Sequence, residues 1–280
     1  MNLKEICLYL VVAFGLAYVL DFSAYPMGLS LDDPVAMALV SLRMFTPFLG
    51  VLAVAVLRRE RLVEFLRGHG LGIGGIRYVL LALAVPYLAY LLSVLYSLAL
   101  GYGCVNPMTQ IPEVSQAPVD PDTLLVIALL GGLLAGPTIN ALFAMGEEIG
   151  WRGYLLDTLK PRLGFTLSNV VIGVVWSLWH APLILLFGYA FPHHRDALGI
   201  AVYTAALVVY SFILSTLRLE SGKIYPPSVM HGTINALGNL MLLSTPVQDE
   251  VYAAPVGLLG ILSFATSSLL VYAVVRAWRK

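Results

Sequence analysis

Apolar residues gather in eight runs of about 20, each long enough to carry an α-helix across ~30 Å of hydrocarbon, separated by charged or proline-rich breaks. The runs lie near residues 5–24, 36–57, 76–101, 123–150, 167–188, 197–219, 224–244 and 255–276. The connections are short and no repeat stands out, so the pattern predicts one all-α, polytopic membrane domain over residues 1–280 with about eight transmembrane helices. The first run follows the lone basic residue Lys4 and resembles a leader peptide, but Asp21 and aromatic residues follow it where a small-x-small cleavage pattern would stand. It is read as a span.

Charge placement supports the same partition. Lys4, Arg58, Arg59, Arg61, Arg67, Arg77, Arg152, Lys160, Arg162, Arg218, Lys223, Arg276, Arg279 and Lys280 fall in alternate connections or at the termini, 14 of the 16 basic residues on one side. The opposite connections hold Asp32, Asp33, Glu113, Asp120, Asp122, Asp196, Asp249 and Glu250, with Arg195 their one basic residue. The positive-inside rule makes the basic side cytosolic and predicts both termini there.

Composition narrows the class. With 59% hydrophobic and 11% charged residues, the solvent of this fold is the lipid bilayer. Sixteen basic against sixteen acidic residues give no net charge and no reason to expect nucleic acid. Cys7 and Cys104 are too few for a disulfide framework or a thiolate metal site.

Ionisable groups inside spans cost ~2.5–3.5 kcal/mol or more at the bilayer centre, so each is a candidate for function. The spans hold Arg43, Glu147, Glu148, His180 and His231, with Asn235 as a polar companion. Glu148 and Arg152, four apart on a helix, share a face and suit an ion pair; Glu147 is rotated about 100° from Glu148 toward Trp151. One carboxylate is thus left to face a cavity. Trp176 and His180 share a face, as do His231 and Asn235, and Pro182 is placed to kink the helix of His180.

Helical rise places His180 ~20 Å, His231 ~10 Å and Asn235 ~16 Å along their helices from the basic side. Glu147 sits near the basic-side end of its run, so spacing predicts a site in that half of the membrane, and Gly131-Gly132 and Gly136-Pro137 predict a fourth helix that is not straight.

These residues form three motifs: Glu147-Glu148-x-x-x-Arg152, Trp176-x-x-x-His180 and His231-x-x-x-Asn235. In order, spacing and placement they resemble the type II CAAX prenyl endopeptidases and their prokaryotic relatives, over roughly residues 124–245. One departure is Trp176, where that family more often has Phe; both are large aromatics and are treated as equivalent. The resemblance implies that Glu147 and His180 activate water, that His231 and Asn235 form the oxyanion site, and that Glu148 and Arg152 support Glu147's segment. Its substrate would be a membrane-associated peptide or a prenylated protein C-terminus. No cofactor is expected by that route, although Glu147, His180 and His231 could supply the three protein ligands of a catalytic zinc with Glu148 as base; the linear HExxH signature is absent.

Other readings predict other features. A transporter would show inverted repeats and paired broken helices, which the sequence lacks, and a silent immunity or scaffold protein would have lost motif residues that are intact here. Arg43 is expected to pair with an acidic neighbour or reach an interface; His69, His193 and His194 are expected to be solvated loop residues. Tyr102, Tyr154 and Trp278 fit an interfacial aromatic belt, and Pro226-Pro227 fits a helix start.

Overall fold

The structure, a computed structural model, describes residues 2–31 and 33–279; Asp32 and Lys280, counted above on the acidic and basic sides, lie outside the described residues. Among the described residues the chain is helical throughout, without strands. The helices are α1 (Leu3–Ala24), α2 (Pro34–Arg43), α3 (Thr46–Arg58), α4 (Leu62–Gly68), α5 (Ile76–Ala99), α6 (Pro121–Ala135), α7 (Ala141–Glu148), α8 (Leu156–Phe187), α9 (Ala197–Ser221), α10 (Tyr225–Ser244) and α11 (Leu258–Trp278). Single π-helical segments, Gly136–Asn140 and Ile149–Leu155, join α6 to α7 and α7 to α8.

Among the described residues six stretches are long and apolar enough to cross a membrane: Leu3–Met27, Pro34–Arg58, Ile76–Ala99, Pro121–Phe187, Ala197–Ser221 and Leu258–Trp278. This count differs from the expected eight for two reasons. The runs at 123–150 and 167–188 belong to one helical stretch of 67 residues, interrupted only by Gly164 at φ 69°, ψ 178°. The run at 224–244 does form α10, but Pro226, Pro227, Ser228, His231, Asn235 and Asn239 dilute its apolarity.

The boundary expected at residue 150 is also displaced. Ile149 through Leu155 are all buried, and Arg152, counted from sequence on the basic side, makes the expected pair with Glu148 inside the bundle. A paired charge does not mark a membrane exit. Tyr154 is likewise fully buried against Tyr9, Phe65 and His69 rather than at an interface.

Packing centres on α10. It contacts α5, the Gly136–Asn140 segment and α7, while α8 packs on α9, α1 on α3, and α11 on α5 and α9. Backbones approach closely at Gly232, where an added Cβ would stand 2.5 Å from Ala141 N and 2.6 Å from the Gly136 carbonyl oxygen. Only a residue without a side chain lets α10 lie this close to the start of α7, a small-residue contact typical of membrane helices.

Proline has a local effect in α8. Pro182 lacks the N–H that would serve the Leu178 carbonyl one turn earlier, and the Tyr18 hydroxyl donates to that carbonyl at 2.8 Å instead. The helix that carries His180 is therefore tied to α1 at the turn where its own ladder is broken.

Candidate functional site

Glu147, His180, His231 and Asn235 arrive from α7, α8 and α10 and line one cavity of about 440 Å³. Glu148 and Arg152 stand behind its wall, both fully buried. All six sequence-predicted residues are thus in one neighbourhood, four on the cavity and two supporting it.

The two adjacent carboxylates have separate partners. Glu147 Oε2 accepts from the indole N–H of Trp176 at 2.6 Å and from that of Trp151 at 3.4 Å. Glu148 Oε1 accepts from Arg152 Nη1 at 2.9 Å and from His231 Nδ1 at 2.9 Å. Arg152 Nη2 donates to Ser211 Oγ at 3.0 Å, and its guanidinium lies 4.2 Å from the centre of the Trp176 ring. Trp176 therefore covers Arg152 with its face and holds Glu147 with its edge. A phenylalanine could do the first and not the second, which corrects the treatment of the two aromatics as equivalent.

The rings have defined proton positions. His180 Nδ1 is 2.9 Å from the Trp176 carbonyl, which can only accept, so Nδ1 carries hydrogen and Nε2 of the neutral ring is a lone pair. His231 Nδ1 donates to Glu148, so its Nε2 carries a proton only in the imidazolium form, whose charge Glu148 faces directly. Asn235 is exposed and its amide has no protein partner among the described residues.

Several contributors were not anticipated. Asp21 Oδ1 and Oδ2 accept from Arg43 Nε at 2.9 and 3.0 Å, so the acidic residue taken only as the end of the first run is the buried partner of Arg43. Arg43 also lines the cavity, donates to the Trp179 carbonyl and stacks 3.6 Å from the Trp179 ring centre. Trp179 in turn meets the His180 ring edge-on at 4.7 Å. Asn239, four residues beyond Asn235, lines the same cavity, as do Tyr189 and Tyr203 against His180. The i, i+4 spacing made Asn239 findable; Tyr18, Asp21 and Arg43 lie too far away in sequence for spacing to reveal.

The three loop histidines have partners. His69 Nδ1 lies 3.1 Å from Asp157, which also accepts from Arg218 at 3.2 Å. His193 and His194 pair with Glu250 and Asp249 at 3.0 and 3.1 Å. None of these lines the cavity.

Zinc was the alternative use of Glu147, His180 and His231. Among the described residues no three His, Cys, Asp or Glu side chains are gathered closely enough to hold a metal ion, and one Glu147 oxygen, Oε2, is taken up by two indole donors. The set does not fit three-ligand coordination in this conformation.

The fold and the cavity define a polytopic helical membrane protein whose cavity joins a buried carboxylate and two buried imidazoles to the exposed Asn235 amide. Residues 121–237, from the start of α6 into α10, match the family of type II CAAX prenyl endopeptidases, Rce1-like. The chain is also similar to CAAX prenyl protease 2 of Methanococcus maripaludis, 47% identical over 45 residues, or 16% of this chain. It covers 17% of that relative's length. The family resemblance carried by the three motifs is borne out over that matched segment.

Proposed function

We propose that this integral membrane protein is an endopeptidase that hydrolyses a peptide bond of a membrane-associated substrate, with a prenylated protein C-terminus as the substrate class the relatives suggest. The observation that carries this reading is the convergence on one cavity of Glu147, His180 Nε2, His231 Nε2 and the unpartnered Asn235 amide. Amide hydrolysis needs a base for water, donors for the oxyanion and an acid for the leaving amine.

In the proposed reaction Glu147 takes one proton from water while His180 Nε2 accepts a hydrogen bond from the other. The hydroxide oxygen bonds to the substrate carbonyl carbon, and the carbonyl π electrons move to oxygen. His231 Nε2–H and the Asn235 amide donate to that oxyanion, with Glu148 balancing the imidazolium. Collapse restores the C=O bond, breaks the C–N bond, and Glu147 returns its proton to the departing nitrogen. Both termini are proposed to be cytosolic. The cavity is lined by Leu31, Tyr189, Pro255 and Val256 from the connections on the acidic side, so it opens toward the side opposite the termini and not, as spacing predicted, in the basic half.

Purified protein in lipid, given lipidated and unlipidated C-terminal peptides, should release a C-terminal fragment detectable by mass spectrometry. Glu147→Gln should not. Asn235→Ala should retain the fold and lower kcat by about a hundred- to a thousandfold, as loss of one oxyanion donor does. Activity should survive exhaustive chelation. Cleavage by Glu147→Gln at the native rate, or failure of the native protein to cut any such peptide, refutes the reading; inactivation by chelator with restoration by zinc refutes only its metal-free step.

A further inference from the structure

A second cavity, of about 680 Å³, opens between α8, α9 and α11 at the end of the bundle that carries most of the basic residues. Lys160, Arg276 and Arg279 line it together with Phe165, Thr216, Leu219, Glu220, Tyr272 and Val275. It shares no lining residue with the site described above.

Its charges are not evenly committed. Arg279 pairs with Glu220 across α9 and α11 and so closes one wall without net charge. Lys160 and Arg276 have no side-chain partner among the described residues and are both exposed. Elsewhere on this end Arg58 pairs with Glu5, Arg61 with Glu64 and Arg218 with Asp157, and Arg77 covers Tyr78 and Trp278. The groove is left with two unpaired cations.

Polarity inside the groove has a direction. On α11 Arg276 is terminal and Tyr272 lies one turn inward; on α9 Glu220 is terminal and Thr216 lies one turn inward. On α8 the break at Gly164 separates Lys160 from Phe165, so the cation and the ring reach the groove from either side of it. The mouth is therefore cationic, Tyr272 and Thr216 stand one turn inward, and Phe165, Leu219 and Val275 complete the apolar lining. A molecule matching this gradient carries a phosphate at one end and hydrocarbon at the other.

We infer that this groove is a binding site for a phospholipid of net negative headgroup, with the phosphate between Lys160 and Arg276 and an acyl chain along Tyr272 and Phe165. Basic residues at a membrane surface contribute about 1 kcal/mol each toward anionic lipid. The inference does not depend on the peptidase reading.

The test uses the full chain in neutral detergent with phosphatidylglycerol as probe and phosphatidylcholine as comparison, read by native mass spectrometry. Phosphatidylglycerol should be retained preferentially, Lys160→Ala and Arg276→Ala should each weaken it about fivefold, and the double variant about thirtyfold. Arg67→Ala, on the same end but outside the groove, should leave it unchanged, and Lys160→Arg with Arg276→Lys should retain binding. Equal retention of both lipids, an unaffected double variant, an equal loss in Arg67→Ala, or displacement by millimolar inorganic phosphate alone would each overturn the assignment.

Discussion

His231 is anchored by Glu148: its Nδ1 stands 2.9 Å from the carboxylate oxygen that also receives Arg152. A residue expected to support its neighbour's segment thus fixes a ring of the cavity, and the two adjacent carboxylates separate into one that orients and one that faces the cavity.

Glu148→Gln should accordingly be the more damaging change to folding. It leaves the Arg152 charge buried without its counter-charge, at ~3–5 kcal/mol, and loosens His231, lowering turnover in whatever protein folds. Glu147→Gln keeps an oxygen for the Trp176 and Trp151 indoles, so it should melt near the native temperature while losing activity by about a hundredfold or more. Thermal unfolding in detergent and peptide cleavage on the same preparations separate the two; a Glu147→Gln protein less stable than Glu148→Gln would exchange the roles.

Trp176→Phe tests the indole donor. The ring over Arg152 survives, but the 2.6 Å hydrogen bond to Glu147 is lost. Hydrogen bonds to charged groups contribute ~1.5–3 kcal/mol, so kcat/KM should drop by about ten- to a hundredfold with a small change in melting temperature. Unaltered kinetics would reduce Trp176 to a packing residue.

Arg43 and Asp21 form a buried pair whose halves cannot be removed singly at low cost. Arg43→Met or Asp21→Asn alone should destabilise by ~3–5 kcal/mol, whereas the double change should recover much of that loss. A double-mutant cycle by chemical unfolding measures the coupling. Additive losses would show that Arg43 is held by Trp179 rather than by Asp21.

The outer connections predict a pH window. The hydrogen bond that His194 donates to Asp249 raises it above its ordinary 6.5. The Val251 backbone N–H and then His194 hold Asp249 below its ordinary 3.8. The raised group contributes below pH 6.5 and its contribution is lost as pH rises through its folded value; the depressed group contributes above 3.8 and is lost on further acidification. Hydrogen exchange at residues 193–196 and 249–253 should therefore be slowest, after correction for intrinsic rates, between about pH 4.5 and 6.5, and His194→Gln should flatten the profile. Protection that climbs steadily to pH 9 would contradict it.

Hydropathy and the scarcity of intramembrane charge made the all-helical fold and the neighbourhood of Glu147, His180, His231 and Asn235 legible. Helical spacing made the Glu148–Arg152 pair legible, but hydropathy could not show that it lies inside the bundle rather than at a membrane exit, and Tyr154 looks like a boundary residue until Tyr9 is seen beside it. The supporting contacts of Tyr18, Asp21 and Arg43 connect α1 and α2 to α8 across more than 130 residues in two cases, a relationship no local period encodes. Trp176 was visible but undervalued, because its class was read and its N–H was not.

Helix α10 has a different standing in the bilayer from its neighbours. The residues that place it outside the six apolar stretches include His231 and Asn235, so lipid partitioning alone gives this segment little drive to leave the aqueous translocation channel. Its insertion must be supplied by company: the Gly136–Asn140 segment, α5 and α7, all made earlier in the chain, offer the surface on which it settles. Biogenesis and chemistry are then coupled, since an upstream helix that fails to assemble strands the segment carrying the imidazole. In a glycosylation-tag insertion assay α10 should insert poorly by itself and efficiently when residues 76–223 precede it.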